Sequence, residues 1–216
     1  MRPARHQDRR PASAVAAHDP AARRGPGRPR TADEEAIAGA VLQALVERGF
    51  DGMTVDHVAR LAGVGRATLY RRWPTKTAMV IDALGRGRFP TLEDSDTGDP
   101  RADFLGLLRI VQATFEREHH VMRALQLEVA RHPDIGAALS RDFIPQRLDV
   151  LIAVLRRAAS AGLLRAPSDL ELLARLGPAL IWHHCALLTN APDPGLPGRI
   201  TDLVFADRPP TTRSKR

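Results

Sequence analysis

The sequence predicts an all-α protein with a small N-terminal helix-turn-helix domain of three helices and a larger helical domain behind it. Three observations lead there. Apolar residues recur at helical spacing between residues 31 and 206, and no run of alternating β-branched residues interrupts them. Aromatic residues form only 4% of the chain, so the core must rest on Leu, Ala, Val and Ile. Glycine and proline gather at discrete points that divide the periodic stretches into helix-sized pieces. At 216 residues, 44% hydrophobic and 26% charged, the chain can hold a small domain plus a medium one of ordinary globular composition.

Residues 1–30 are rich in Arg, Pro and Ala, carry no apolar period, and read as a disordered basic arm. Order begins in "TADEEAIAGAVLQALVERGF". Thr31 and Glu34 form a capping-box pattern, and Ile37, Ala40, Val41, Ala44 and Leu45 follow at helical spacing. Gly49 closes this helix, with Phe50 tucked beneath it. "TVDHVARLAG" gives a second helix, with Thr54 as N-cap, Val55, Val58 and Ala59 inward and Gly63 at its end. "GRATLYRRW" gives a third, stopped by Pro74. Thr75 caps a fourth through Met79, Val80, Ile81 and Leu84, which Gly85 and Gly87 interrupt. The head thus spans 31–91, its helix-turn-helix 54–73, and "PTLEDSDTGDP" supplies a linker at 92–100.

The second domain, 101–206, is expected to hold helices at 102–119, 121–132, 143–161, 169–188 and 198–205. Pro133, Gly162 and "NAPDPGLPG" punctuate them, Ser168 with Glu171 makes a second capping box, and Gly177-Pro178 should kink the long fourth helix of this set. Residues 207–216 read as a frayed tail. No internal repeat is present.

The net charge of +7 is unevenly placed. Residues 1–30 hold eight Arg against Asp8 and Asp19, whereas 31–80 balance six bases with six acids and 81–216 balance eighteen with seventeen. A basic arm before a neutral body points to a polyanionic partner. The longest apolar stretches fall far short of the roughly 20 residues that a membrane span needs. "ASAVAA" is too short for a signal peptide. The single cysteine, Cys185, excludes an internal disulfide. A soluble cytoplasmic protein without a membrane partner is the expectation.

Ala59, Gly63 and Leu69 stand as A-x3-G-x5-L across the second and third helices. The alanine permits a close crossing, the glycine accepts a left-handed turn, and the leucine anchors the next helix inward against Val58 and Ala62. This is a helix-turn-helix, whose second helix enters the major groove of double-stranded DNA. On a wheel, Arg66, Ala67, Thr68, Tyr70 and Arg71 spread over its outer face, with Gly65 at its start. Arg66 can fork onto a guanine, and Ala67 and Thr68 can touch a thymine methyl. Tyr70, Arg71, Arg72 and Lys76 suit phosphates, as do the helix starts capped by Thr54 and Thr75. No acid occurs from His57 to Ile81. In the arm, Gly27-Arg28-Pro29 resembles the core of AT-hook peptides, so Arg28 and Arg30 are expected at the minor groove or on phosphates.

"GFDGMTVDHVARLAGVGRATLYRRWPTKTAMV", residues 49–80, resembles the TetR/AcrR family of bacterial transcriptional regulators. The shared pattern is G-[FY], T-x-x-x-[IV]-A-x-x-A-G-V, then T-L-Y-x-x-[FW]-P-x-K. "FIPQRLDVLIAVLRRAASAGLLRAPSDLELLARLGPALIWHHCALL" is similar to a subgroup of the family's C-terminal domains. The resemblance implies a homodimeric regulator, expected to be a repressor, bound to a palindromic operator and released by a small-molecule effector. It makes the larger domain a ligand-binding and dimerisation domain. Gly65 and Ala67 depart from the pattern as small residues at the start of the reading helix.

The family's pocket lies among its middle helices, which offers Phe104, Leu108, Met122, Leu125, Phe143, Leu151 and Trp182 as lining. Its dimer interface lies on the last two helices, where Leu172, Leu176, Ala179, Leu180, His183 and Leu187 recur at helical spacing. No metal or other cofactor is expected: His119-His120 and His183-His184-Cys185 are sequence neighbours, about 100° apart on a helix, and cannot chelate as i, i+4 pairs do. No G-x-S-x-G, H-E-x-x-H, P-loop or G-x-G-x-x-G occurs, so an enzyme is not indicated. The alternative is a constitutive architectural protein that prefers A·T-rich DNA and takes no ligand.

Overall fold

The computed structural model describes residues 30–164, 169–187 and 193–205. Among them the chain is all helical, without a strand. The order is α1 (Arg30–Gly52), α2 (Val55–Ala62), α3 (Arg66–Arg72), α4 (Lys76–Ala83), α5 (Pro100–Arg117), α6 (His119–Arg131), α7 (Pro133–Ala138), α8 (Ile144–Ser160), α9 (Leu170–Leu187) and α10 (Leu196–Val204). Single π-helical turns follow α4 at Leu84–Arg88 and α7 at Leu139–Phe143.

Local chemistry sets most helix ends. Thr54 accepts the His57 amide at 3.2 Å and Thr75 the Ala78 amide at 3.0 Å, so both capping assignments hold. Gly63 is left-handed at φ 67°, ψ 29°, and the amide of Val64 bonds the Ala59 carbonyl at 3.0 Å. Gly49 breaks α1 where expected, but at φ 67°, ψ 176°, a mirror-extended conformation that only glycine enters easily. The chain then adds one more helical turn through Phe50 before α2.

Several expectations change. Helix α1 is described from Arg30, the side chain of Thr31 lies outside the described residues, and Glu34 bonds the distant Arg72 and Arg86. Pro133 starts α7, a helix the sequence reading treated as punctuation, because proline suits the first helical position. Asp99 caps α5 by accepting the amides of Arg101 and Ala102. Ser168 lies outside the described residues, and Asp169 accepts the Leu172 amide at 3.0 Å. α9 runs unbroken through Gly177-Pro178. There the glycine allows close approach to α5, since an added Cβ would come within 2.5 Å of a Leu108 methyl.

Two cores form. The first unites α1–α4 with Val121, Met122, Leu125, Ile135 and Ala138 of α6 and α7, so the head is not closed upon itself. The second joins α5, α8, α9 and α10. Between them residues 89–99, which overlap the linker read at 92–100, are non-helical and anchored. Phe89 is buried in the first core and Leu92 in the second. Arg157 of α8 reaches Asp94 at 2.9 Å, Asp103 at 2.8 Å and Asp96 at 3.2 Å. Asp103 is itself buried and also accepts from Thr97 at 2.7 Å.

Candidate functional site

The turn between α2 and α3 orients the basic helix. Leu69 and Val58 are fully buried and Ala59 nearly so, which fixes one face of α3 against α2. Gly65, Arg66, Ala67, Tyr70 and Arg71 are exposed on the opposite face, and Thr68 is half-buried beside them. Tyr70 is 62% exposed, far more than a packed tyrosine would be. The exposed N-caps Thr54 and Thr75 open α2 and α4 on either side of α3 in the chain.

Three cations behave in ways that the sequence did not disclose. Arg66 pairs with Asp56 of α2; both side chains are more than half exposed, so the pair is weak and breakable. Arg72, expected on a phosphate, is instead half-buried. It bonds Glu34 at 3.1 Å and lies over the Trp73 ring at 4.8 Å. Glu34 also takes Arg86 at 2.8 Å, Arg86 bonds Asp82 at 2.6 Å, and Asp82 accepts the Trp73 indole N–H at 3.0 Å. The chain of ion pairs clamps α1, α3 and α4 together.

Lys76, also expected on a phosphate, turns inward. Its ammonium donates to the carbonyls of Phe50 at 2.7 Å and Met53 at 3.3 Å, and sits 4.6 Å from the Phe50 ring centroid. A cation there satisfies carbonyls left free where α1 ends. Lys76→Met is therefore expected to lower stability by about 1.5–3 kcal/mol, the range for hydrogen bonds from a charged donor. Thermal melting checks this; an unchanged melting temperature with weakened DNA binding would restore the phosphate role. Arg28 lies outside the described residues, as do the side chains of Arg30 and Leu187.

The head meets the second domain at the α6–α7 corner. The Phe50 and His132 rings lie 4.8 Å apart, His132 Nε2 is 3.4 Å from both Asp51 and buried Glu128, and Thr77 donates to Asp134 at 2.6 Å. The Thr77 hydroxyl holds the Asp134 carboxyl below the usual carboxylate range.

The other side of that corner walls a cavity of about 490 Å³, within the usual range for small-molecule sites. Of the residues offered for a ligand pocket, Met122, Leu125, Phe143, Leu151 and Trp182 border this cavity. Phe104 and Leu108 do not: both are fully buried in the second core, Phe104 against Phe205 at 5.8 Å between ring centroids and Leu108 against Gly177. Apolar spacing cannot separate a core wall from a cavity wall. The sequence reading missed Arg147 and Arg175, the only charged residues lining the cavity among the described residues.

On α9, Leu172, Leu180, Ala179 and His183 are exposed and Leu176 is half-buried, while Ala179 also borders the cavity. Leu203 of α10 is 64% exposed. Cys185 is half-buried, and burial with Glu116 nearby pushes its thiol up, away from reactivity. Among the described residues no cluster of His, Cys, Asp or Glu could hold a metal ion, and no helix is long and apolar enough to cross a membrane.

Comparison with known proteins agrees with this arrangement. Residues 37–83 match the family described as bacterial regulatory proteins, tetR family, and residues 94–204 match the tetracyclin repressor-like C-terminal domain. An uncharacterized HTH-type transcriptional regulator of Mycobacterium tuberculosis is 32% identical over 129 residues, 60% of this chain and 64% of that relative's length. The chain thus aligns with somewhat under two thirds of that protein. A DNA-binding transcriptional repressor TetR of Mycobacteroides abscessus is 26% identical over 174 residues, 79% of this chain and 90% of the relative. Among solved structures, the TetR family transcription regulator SCO0332 superposes with a TM-score of 0.64 at 27% identity, covering 82% of this chain and 99% of the other.

Proposed function

We propose, from the premise that the chain belongs to the TetR family of bacterial transcriptional regulators, that it is a repressor which binds a palindromic operator as a homodimer and leaves it on taking up a small molecule. The observation that carries this reading is the outer face of α3. Arg66, Ala67, Tyr70 and Arg71 stand free of the core there, in a stretch without an acid from His57 to Ile81. Arg66 is the base reader, since it leaves only a weak surface pair with Asp56 to fork onto a guanine. Tyr70 and Arg71, with the amides opened by Thr54 and Thr75, take phosphates. Arg28 and Arg30 of the arm add minor-groove or phosphate contacts.

One such module buries too little DNA surface to select a site, so two act together. The exposed leucines of α9 and α10, Leu172, Leu180 and Leu203, suit a self-complementary surface. The cavity favours a ligand-responsive protein over a constitutive architectural one. A ligand that binds one spacing of the two α3 helices better than another shifts the population by its differential affinity alone. The α6–α7 corner is the shortest route, because it walls the cavity on one side and holds Phe50 and Thr77 on the other.

Footprinting on the DNA upstream of the protein's own gene, with the mass of the bound species, tests the reading. A two-fold symmetric footprint occupied by two protomers is expected. Broad A·T-rich coverage, or no preference over random duplex, would overturn it. On the footprinted site, Arg66→Ala should cost about 1–3 kcal/mol and relax one base position, while Arg71→Ala should weaken specific and random DNA alike and reduce the salt slope by about one. Equal loss on both DNAs for Arg66→Ala removes its base-reading role.

A further inference from the structure

The effector cavity holds an arginine with nothing to neutralise it. Arg147, on the first turns of α8, points its guanidinium at backbone rather than at an acid. Nη2 donates to the Phe89 carbonyl at 2.6 Å and Nη1 to the Phe143 carbonyl at 3.0 Å, and the group lies 3.7 Å from the Phe143 ring centroid. No carboxylate stands within 4.0 Å of it among the described residues. The other half-buried arginines differ: Arg157 has three aspartates, Arg72 and Arg86 share Glu34, and Arg88 has Glu118. Burial pulls Arg147 below its ordinary pKa, so the charge is held at a cost, although arginine stays cationic at neutral pH.

The surroundings define what would relieve that cost. The cavity walls are overwhelmingly hydrocarbon, supplied by residues such as Leu125, Leu139, Leu148 and Trp182. Among the described residues both charged lining residues, Arg147 and Arg175, are cationic, and no acid lines the space. A second cavity on the far side of Arg147 does contain Asp82 and Asp142, but these are bonded to Arg86 and Arg141. A neutral ligand would fill the walls and leave the buried charge alone. A cation would be repelled. We infer that the effector is an apolar monocarboxylate, its hydrocarbon body in the cavity and its carboxylate on the guanidinium of Arg147. This rests on the cavity being the effector site, as proposed above, and adds the chemical class.

The test compares dodecanoate with dodecanol and dodecylamine, three probes of one tail. Binding is read from the fluorescence of Trp182, which lines the cavity, in a Trp73→Phe background, and DNA release is read separately by anisotropy. Dodecanoate is expected to bind about tenfold more tightly than dodecanol, the gain from one charge-assisted contact, and dodecylamine more weakly than either. Arg147→Met should erase the preference for the acid while leaving dodecanol affinity unchanged, and Arg147→Lys should keep part of it. Circular dichroism melting shows that each variant is folded. Equal binding of acid and alcohol, binding of none of the three, or an acid preference that survives in Arg147→Met overturns the inference. Acid-selective binding that leaves the DNA complex intact instead upholds the anion site and removes the release mechanism.

Discussion

Replacing Arg157 by methionine is expected to destabilise the protein by about 3–5 kcal/mol, the cost of removing one partner from a buried ion pair. The guanidinium faces Asp94, Asp96 and Asp103, and Asp103 is buried with its only other partner at Thr97. Methionine fills much of the same volume, so the loss is mainly electrostatic: a carboxylate stays in the interior without a cation. In a chain of this length that corresponds to a fall in melting temperature of about 6–20 °C. Acid should narrow the difference. Hydrogen bonding from Arg157 holds the Asp94 carboxyl below its ordinary range. A depressed folded pKa gives stability that is present above the unfolded value, near 4, and is lost as pH falls through the folded one. Melting the two proteins from pH 7 down to pH 3 checks this. A gap that stays constant across that range would show that packing, not charge, sets the effect.

Gly49→Ala is expected to be the most damaging single-methyl change in the head. Two independent costs add. The backbone at φ 67°, ψ 176° lies in a region that side chains rarely enter, worth about 1–3 kcal/mol. The new Cβ would also stand 2.6 Å from Glu128 Oε1, a buried carboxylate on α6 beside His132. That carboxylate must shift within its buried site where the head meets α6, a further cost that is smaller the more freely the side chain can turn. Gly63→Ala is the comparison: at φ 67°, ψ 29° it lies in the milder left-handed region, and an added Cβ there meets nothing within 4 Å. If both substitutions cost the same, neither the mirror-extended backbone of Gly49 nor its contact with Glu128 contributes.

The contrast between these glycines shows what sequence could and could not reveal. Thr54, Gly63 and Thr75 were assigned correctly because a cap is a contract between residues two to five apart. The inward Leu69 and exposed Arg66, Tyr70 and Arg71 followed from a single helical wheel. The contacts of Arg72 and Lys76 are invisible in the sequence, since their partners, Glu34 and the Phe50 carbonyl, lie 38 and 26 residues away and only folding brings them near. A basic residue beside a reading helix looks the same whether it awaits a phosphate or caps a neighbour. Helix α7 was missed because Pro133 fits a helix start as well as a break. Phe104 and Leu108 cannot be told from cavity lining in the sequence, because periodicity marks a buried face without saying what lies against it. Arg147 carried no signal of its own: one more cation on a helix with Asp149 and Arg156 nearby in sequence gives no hint of solitude.

The fastening of residues 89–96 has a further consequence. Phe89 is buried on one side, Leu92 on the other, and Asp94 and Asp96 are riveted to α8. So fastened, the joint is expected to take up little displacement, and α3 would turn with the whole head as a door does on its post, moved furthest by a small wedge placed far from that post.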